Sequence, residues 1–176
     1  MTIERKVGMG IAGQPSGSEN VAEVFSTDLW DGTYYNGNGA TTTINNGIDL
    51  AGEGGLVWLK TRVKTGMGAL YDTGRGANSV LFSGTTNASG SSSSDVFGSF
   101  TSTGFVTGAN GTTNGSETAS ANSGNKFVSW TFRKKEKFFD IVTWTGNGAD
   151  GRQIAHSLNS APAMMLVKRT DSPENW

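Results

Sequence analysis

The chain has 176 residues, no cysteine and a formal net charge of −1. Gly, Ser, Thr and Asn supply 80 of the residues and Leu, Ile, Val and Phe only 34, yet the near-neutral charge lacks the repulsion that keeps such chains disordered. These values exclude a disulfide framework, a thiolate metal site and a cysteine nucleophile, and they argue against a nucleic-acid surface. No apolar run approaches the roughly 18–20 residues of a membrane span.

Residues 1–23 form the first segment. Val7-Gly8-Met9-Gly10-Ile11-Ala12-Gly13 is too short and glycine-rich for a signal-peptide core, which predicts assembly in a cytosol. The segment lacks core-forming periodicity. It reads as an anchor that folds onto another protein through Val7, Met9 and Ile11, or as a frayed terminus.

Residues 24–133 form the first unit. Its strand candidates are Leu56–Lys60, Ala69–Asp72, Ser79–Phe82, Val96–Phe100, Gly104–Thr107 and Lys126–Phe132. Most are bounded by Gly, Ser or Asn, the residues that supply turns. Val128, Trp130 and Phe132 alternate with Ser129 and Thr131, the pattern of a half-buried antiparallel strand. Many short strands and no sustained helical period predict an all-β, antiparallel β-sandwich or jelly roll. The aromatics fill its core, with Trp58, Tyr71 and Trp130 expected inside. Arg133–Lys137 reads as a solvated charged link, with residues 134–137 separating the first unit from residues 138–176. Phe139–Thr145 and Met164–Lys168 are the last strand candidates.

An internal repeat organises the chain. Tyr35-Asn36-Gly37-Asn38-Gly39-Ala40 matches Trp144-Thr145-Gly146-Asn147-Gly148-Ala149. Each is followed by a polar run and an isoleucine, Ile44 or Ile154. Each then reaches an apolar run closed by basic residues: Leu56-Val57-Trp58-Leu59-Lys60-Thr61-Arg62, and Met164-Met165-Leu166-Val167-Lys168-Arg169. Four features in one order make a repeat. Residues 138–176 are therefore expected to be the start of a second, incomplete copy. The 176 residues are then the visible part of a longer protein, or a partner chain completes the copy.

These strings also carry a family resemblance. Asn46-Gly47-Ile48-Asp49-Leu50, Gly54–Lys60, Ala69-Leu70-Tyr71-Asp72-Thr73 with Arg75-Gly76-Ala77, and Val128–Lys134 resemble a repeated domain of bacteriophage tail fibre and tail spike proteins, of the marine and cyanobacterial type. Phe138–Gly148 is similar to the start of that domain's next copy. The resemblance covers residues 24–176. It implies a concanavalin-like (laminin-G-like) sandwich in a virion protein, assembled in the host cytoplasm and positioned in the tail. It implies a homotrimer that docks to a tail hub, adaptor or baseplate through its N-terminal region and supports attachment to a host surface glycan. An architectural head fibre, decoration or connector protein, and a carbohydrate-binding module, are the other readings.

No enzyme is expected. Retaining sandwich glycosidases need two carboxyls about 5 Å apart, typically on one strand as Glu-x-Asp-x-x-Glu, and no such spacing occurs. The single histidine, His156, reads as a turn residue. Gly37-Asn38-Gly39 lacks the Lys-Ser/Thr and helix of a phosphate loop. No cofactor, metal, nucleic-acid partner or membrane insertion is expected. Asp72 and Arg75 read as a structural ion pair. Sugar binding is the open chemistry. Trp30-Asp31-Gly32-Thr33-Tyr34-Tyr35-Asn36 combines aromatic faces with carboxylate and amide groups, so Trp30, Asp31, Tyr34 and Asn36 are the candidate contacts. As strand residues, Trp30 and Tyr34 would instead share a face and point into the core, where aromatics mostly lie.

Overall fold

The structure is a computed structural model that describes residues 20–33, 40–62, 68–109, 111–114 and 126–176. After a 3-10 turn at Val21–Glu23, the described residues form nine strands: β1 (Phe25–Asp31), β2 (Thr42–Asn45), β3 (Gly55–Thr61), β4 (Ala69–Asp72), β5 (Ser79–Phe82), β6 (Gly90–Ser91), β7 (Phe97–Thr101), β8 (Gly104–Thr107) and β9 (Lys126–Arg133). A single α-helical turn among them, α1, spans Gly111–Asn114. All pairings are antiparallel. One sheet has the order β1-β9-β3-β4-β5-β6 and the other β2-β8-β7.

Period-two alternation places the core. In β3, Gly55, Val57 and Leu59 are buried while Leu56 and Trp58 are half-buried and Lys60 is exposed. Val57, Leu59, Ala69, Tyr71 and Val80 of the larger sheet meet Ile44, Phe97 and Phe105 of the smaller one. Tyr71 stacks on Phe97 at 4.2 Å with the rings 10° from parallel. Two antiparallel sheets thus share one apolar core, a β-sandwich-like architecture. Each large side chain buried there contributes about 1.5–3 kcal/mol.

A polar staple crosses the same core. Asn46 Nδ2 donates to Asp28 Oδ2 on β1 at 2.8 Å and to Thr131 Oγ1 on β9 at 3.1 Å. Its Oδ1 accepts the Ile48 N–H at 3.1 Å. One amide at the end of β2 therefore fixes the smaller sheet against two strands of the larger. Asp72 and Arg75 form the expected ion pair, with Arg75 Nε 2.6 Å from Asp72 Oδ2 and a further bond from Arg75 to the Leu70 carbonyl.

Three expectations are corrected. Trp58 and Trp130 are not in the core. They oppose each other across β3 and β9 on the outer face, rings 5.5 Å apart, because the inward positions of these strands fall on the residues between them. Arg133–Lys137 is not a free linker. Lys134 N–H bonds the Gly54 carbonyl, Lys135 bridges to Phe139, and Lys137 turns at φ 61° with its N–H on the Leu158 carbonyl. Phe139–Thr145 and Met164–Lys168 form no strands. No strand among the described residues pairs with them, although the Phe139 ring packs against Phe132 of β9 at 5.3 Å. Asp140 also takes the Ile141 and Ser157 N–H groups, which diverts them from any ladder.

Candidate functional site

The expected sugar platform is placed only in part. Trp30 turns inward and packs on the core: its ring stacks on Phe127 at 5.4 Å and meets Phe105 edge-on at 6.1 Å. Its flat face is used in packing. The register explains the direction, since Trp30 pairs with the buried Phe127 on β9. Asp31 points outward and pairs with Lys126 at 2.8 Å. Tyr34 and Asn36 lie outside the described residues, as do Val7, Met9 and Ile11. The base of the loop between β1 and β2 is described. Asn114 Nδ2 donates to Thr33 Oγ1, the Ala40 carbonyl and Thr42 Oγ1 at 2.8–2.9 Å, and the Thr33 hydroxyl donates to the Ala40 carbonyl at 2.9 Å. This buried amide holds the two ends of the loop together.

A concave site lies elsewhere, where four segments meet. A cleft of about 400 Å³ is lined by Leu50–Gly54 from the β2–β3 connection, Thr73, Gly74 and Gly76 from the β4–β5 turn, Phe100, and Lys134 and Ile141 from the segment after β9. Gly54 and Gly76 hold φ of +80° and +87°, which glycine adopts at low cost. At Gly54 a Cβ would also stand 2.9 Å from Thr73 Oγ1, so the cleft floor is closed to larger residues. Thr73 Oγ1 accepts the Gly55 N–H at 2.9 Å. Leu50, Phe100 and Ile141 supply apolar wall.

The charges of the cleft are largely committed. Lys134 Nζ lies 3.0 Å from Asp140 Oδ1, whose side chain is 6% exposed. Burial works to raise the Asp140 pKa, but hydrogen bonds from Ser157 N–H, Lys134, the Ser157 hydroxyl and Ile141 N–H outweigh it and hold the carboxyl down at about 2. Near neutral pH Asp140 is therefore a fixed anion and not a proton donor. Glu53 is the exposed carboxylate of the lining. Among the described residues, no group of three His, Cys, Asp or Glu side chains is placed to hold a metal ion. His156 Nδ1 accepts the Leu158 N–H at 3.3 Å, a turn contact. No helix among the described residues is long and apolar enough to cross a membrane.

The cleft was not anticipated from sequence. Its walls are glycines and side chains from four separate segments, and only the glycine pairs Gly54-Gly55 and Gly74/Gly76 hint at close approach. Its chemistry is that of a shallow polar surface with an apolar back, suited to packing or to a hydroxylated ligand.

Fold and site together define an all-β, two-sheet domain. The chain belongs to the family described as "Domain of unknown function (DUF7483)", whose model matches residues 26–176. The match begins in β1 and runs through the irregular segment after β9. No curated protein and no solved structure matches the chain.

Proposed function

We propose that the chain is a structural protein of a phage virion, part of a tail fibre or tail spike, that supports attachment to a host-surface glycan. The observation that carries the reading is the set of sequence motifs in the first unit. Motifs that run through β3, β4 and β9 resemble those of tail fibre domains, and they fall in an antiparallel two-sheet domain of the kind that resemblance implies. The finer expectations belong to the same proposal: a concanavalin-like jelly roll, a second copy beginning at residue 138, a homotrimeric assembly, and no catalytic or cofactor role. Antibody labelling of phage particles tests it. Label on the tail is the expected result, and label at the capsid vertices overturns the tail assignment.

One observation favours a second reading, an architectural spacer without ligand binding. Trp30, the aromatic best suited by sequence to stack on a sugar, is packed against Phe127 and Phe105. A glycan array probed with the full chain separates the two. Binding supports attachment by this domain, and absence of binding to any host polysaccharide assigns attachment to other parts of the fibre.

A further inference from the structure

The six-stranded sheet ends in two unlike edges. At one end β1 has β9 on one side and no strand among the described residues on the other. Thr27, Leu29 and Asp31 are exposed on its outer face, and Leu29 is 62% exposed. A long edge strand that carries an exposed apolar residue is a ready template for another strand. Next to the other edge, in the connection between β5 and β6, the Ser89 N–H bonds the Thr170 carbonyl and the Glu174 N–H bonds the Thr86 carbonyl.

Just before that contact runs Met164-Met165-Leu166-Val167, irregular in backbone and 52–78% exposed. Its sequence counterpart in the repeat is the run in β3, which is paired on both sides in the same fold. The segment is thus suited to a strand and has no strand paired with it among the described residues. It cannot supply its own chain's β1. Five strand spacings, roughly 24 Å, separate β1 from β6. Leu166 is four residues from the anchored Thr170, a reach of at most about 14 Å.

We propose that Met164–Lys168 of one copy adds as a parallel strand to the edge of β1 that no described strand covers, in a second copy. The period-two spacing supports this register. Placing Leu166 beside Leu29 sets Met164 beside Thr27 and Lys168 beside Asp31, all on one face. The exposed leucines then cover each other, and Lys168 approaches Asp31, whose carboxylate already holds Lys126 at 2.8 Å and would be shared between the two ammonium groups. Among the described residues Lys168 Nζ bonds the carbonyls of Thr86 and Arg169, so Asp31 would give it an ionic partner. Donor segment and acceptor edge lie on different parts of the surface, so the contact is heterologous and closes into a ring or runs on as a filament. It does not depend on the virion reading, since association can be measured whatever the particle.

The absence of cysteine makes the test direct. Full-length Leu29→Cys and Leu166→Cys chains are oxidised separately and as a mixture. A disulfide-linked dimer that forms in the mixture is the expected result. The double variant in one chain should link between chains, and an intrachain disulfide in monomer overturns the proposal. Sedimentation equilibrium gives an independent readout. Wild type should associate with concentration, and Leu166→Asp should raise the dissociation constant by about tenfold or more. Asp31→Lys should weaken association, and adding Lys168→Asp should restore it. A wild-type chain that stays monomeric, or association indifferent to these changes, refutes the contact.

Discussion

Replacing Asn46 by alanine should destabilise the domain more than any exposed polar substitution. The side chain is 5% exposed and makes three hydrogen bonds across the core, to Asp28, Thr131 and the Ile48 N–H. In Asn46→Ala the Ile48 N–H loses its acceptor. The Asp28 carboxylate keeps only the Ser26 hydroxyl at 3.1 Å. Each buried group left unpaired costs about 1–3 kcal/mol, so the sum is about 2–4 kcal/mol. That is a large share of a total stability of about 5–15 kcal/mol. At about 2–4 °C per kcal/mol for a chain of this size, Tm should fall by about 4–16 °C. Asn46→Asp should be at least as damaging, because it keeps the Ile48 acceptor but sets a second carboxylate against Asp28. Urea unfolding of the full chain, with the m-value unchanged, measures the loss. Asn45 provides the control, since it is exposed and accepts only the Thr103 hydroxyl at 2.9 Å. Asn45→Ala should cost less than about 0.5 kcal/mol. A loss below about 1 kcal/mol for Asn46→Ala, or an equal loss in the control, refutes the staple.

Three further outcomes rest on the same geometry. Asp140 has a folded pKa of about 2, below its ordinary value of 3.8, so its pairing stabilises the fold above about pH 4 and is lost as pH falls toward 2. Asp140→Asn should flatten the acid limb of a stability–pH curve over that window; an unchanged limb refutes the assignment. Gly104 sits at φ +145°, where a Cβ would lie 2.0 Å from the Ile44 carbonyl oxygen, so Gly104→Ala should cost about 3 kcal/mol by urea titration. Tyr71→Ala should cost about 3–5 kcal/mol through the cavity beside Phe97, while Tyr71→Phe, which loses only the 3.3 Å contact with Ser92, should cost about 1 kcal/mol or less; equal losses would place the weight on the hydroxyl instead of the ring.

The sequence was most legible where strands are apolar and fenced by glycine. β3, β4, β5, β8 and β9 lie where the runs Leu56–Lys60, Ala69–Asp72, Ser79–Phe82, Gly104–Thr107 and Lys126–Phe132 predict strands. β1 and β2 were hidden by polar residues at inward positions. Ser26 and Asp28 face the interior because Asn46 satisfies Asp28, a contact 18 residues away that no local pattern encodes. Thr42–Asn45 has only Ile44 buried, so its strand character comes from pairing with β8. The opposite error came from composition. Phe139–Thr145 and Met164–Lys168 have the composition of strands but no strand paired with them among the described residues, and strand propensity is mostly a measure of packing against neighbouring strands. Trp58 and Trp130 were misplaced for a related reason. An aromatic in an apolar strand suggests burial, but alternation decides the face, and here it points both indoles out of the core.

These reversals bear on how such a domain would hold a glycan. The inward Trp30 is fixed by its partner Phe127, so a sugar could stack on it only by opening the core, at a cost of several kcal/mol. The outward pair Trp58 and Trp130 carries no such cost, but its rings are tilted 59° to each other and present no common plane to a sugar ring. The cleft beside Glu53 and Lys134 offers polar groups, yet Lys134 is held by Asp140 and Thr73 by the Gly55 N–H. Each described candidate is therefore partly spent on the fold. The amide of Asn114 is spent in the same way, on Thr33, Ala40 and Thr42 at the base of the β1–β2 loop. Asn114→Ala leaves these acceptors without their donor inside the fold, so it should cost about 1–3 kcal/mol in urea unfolding, and an unchanged midpoint would refute the clamp.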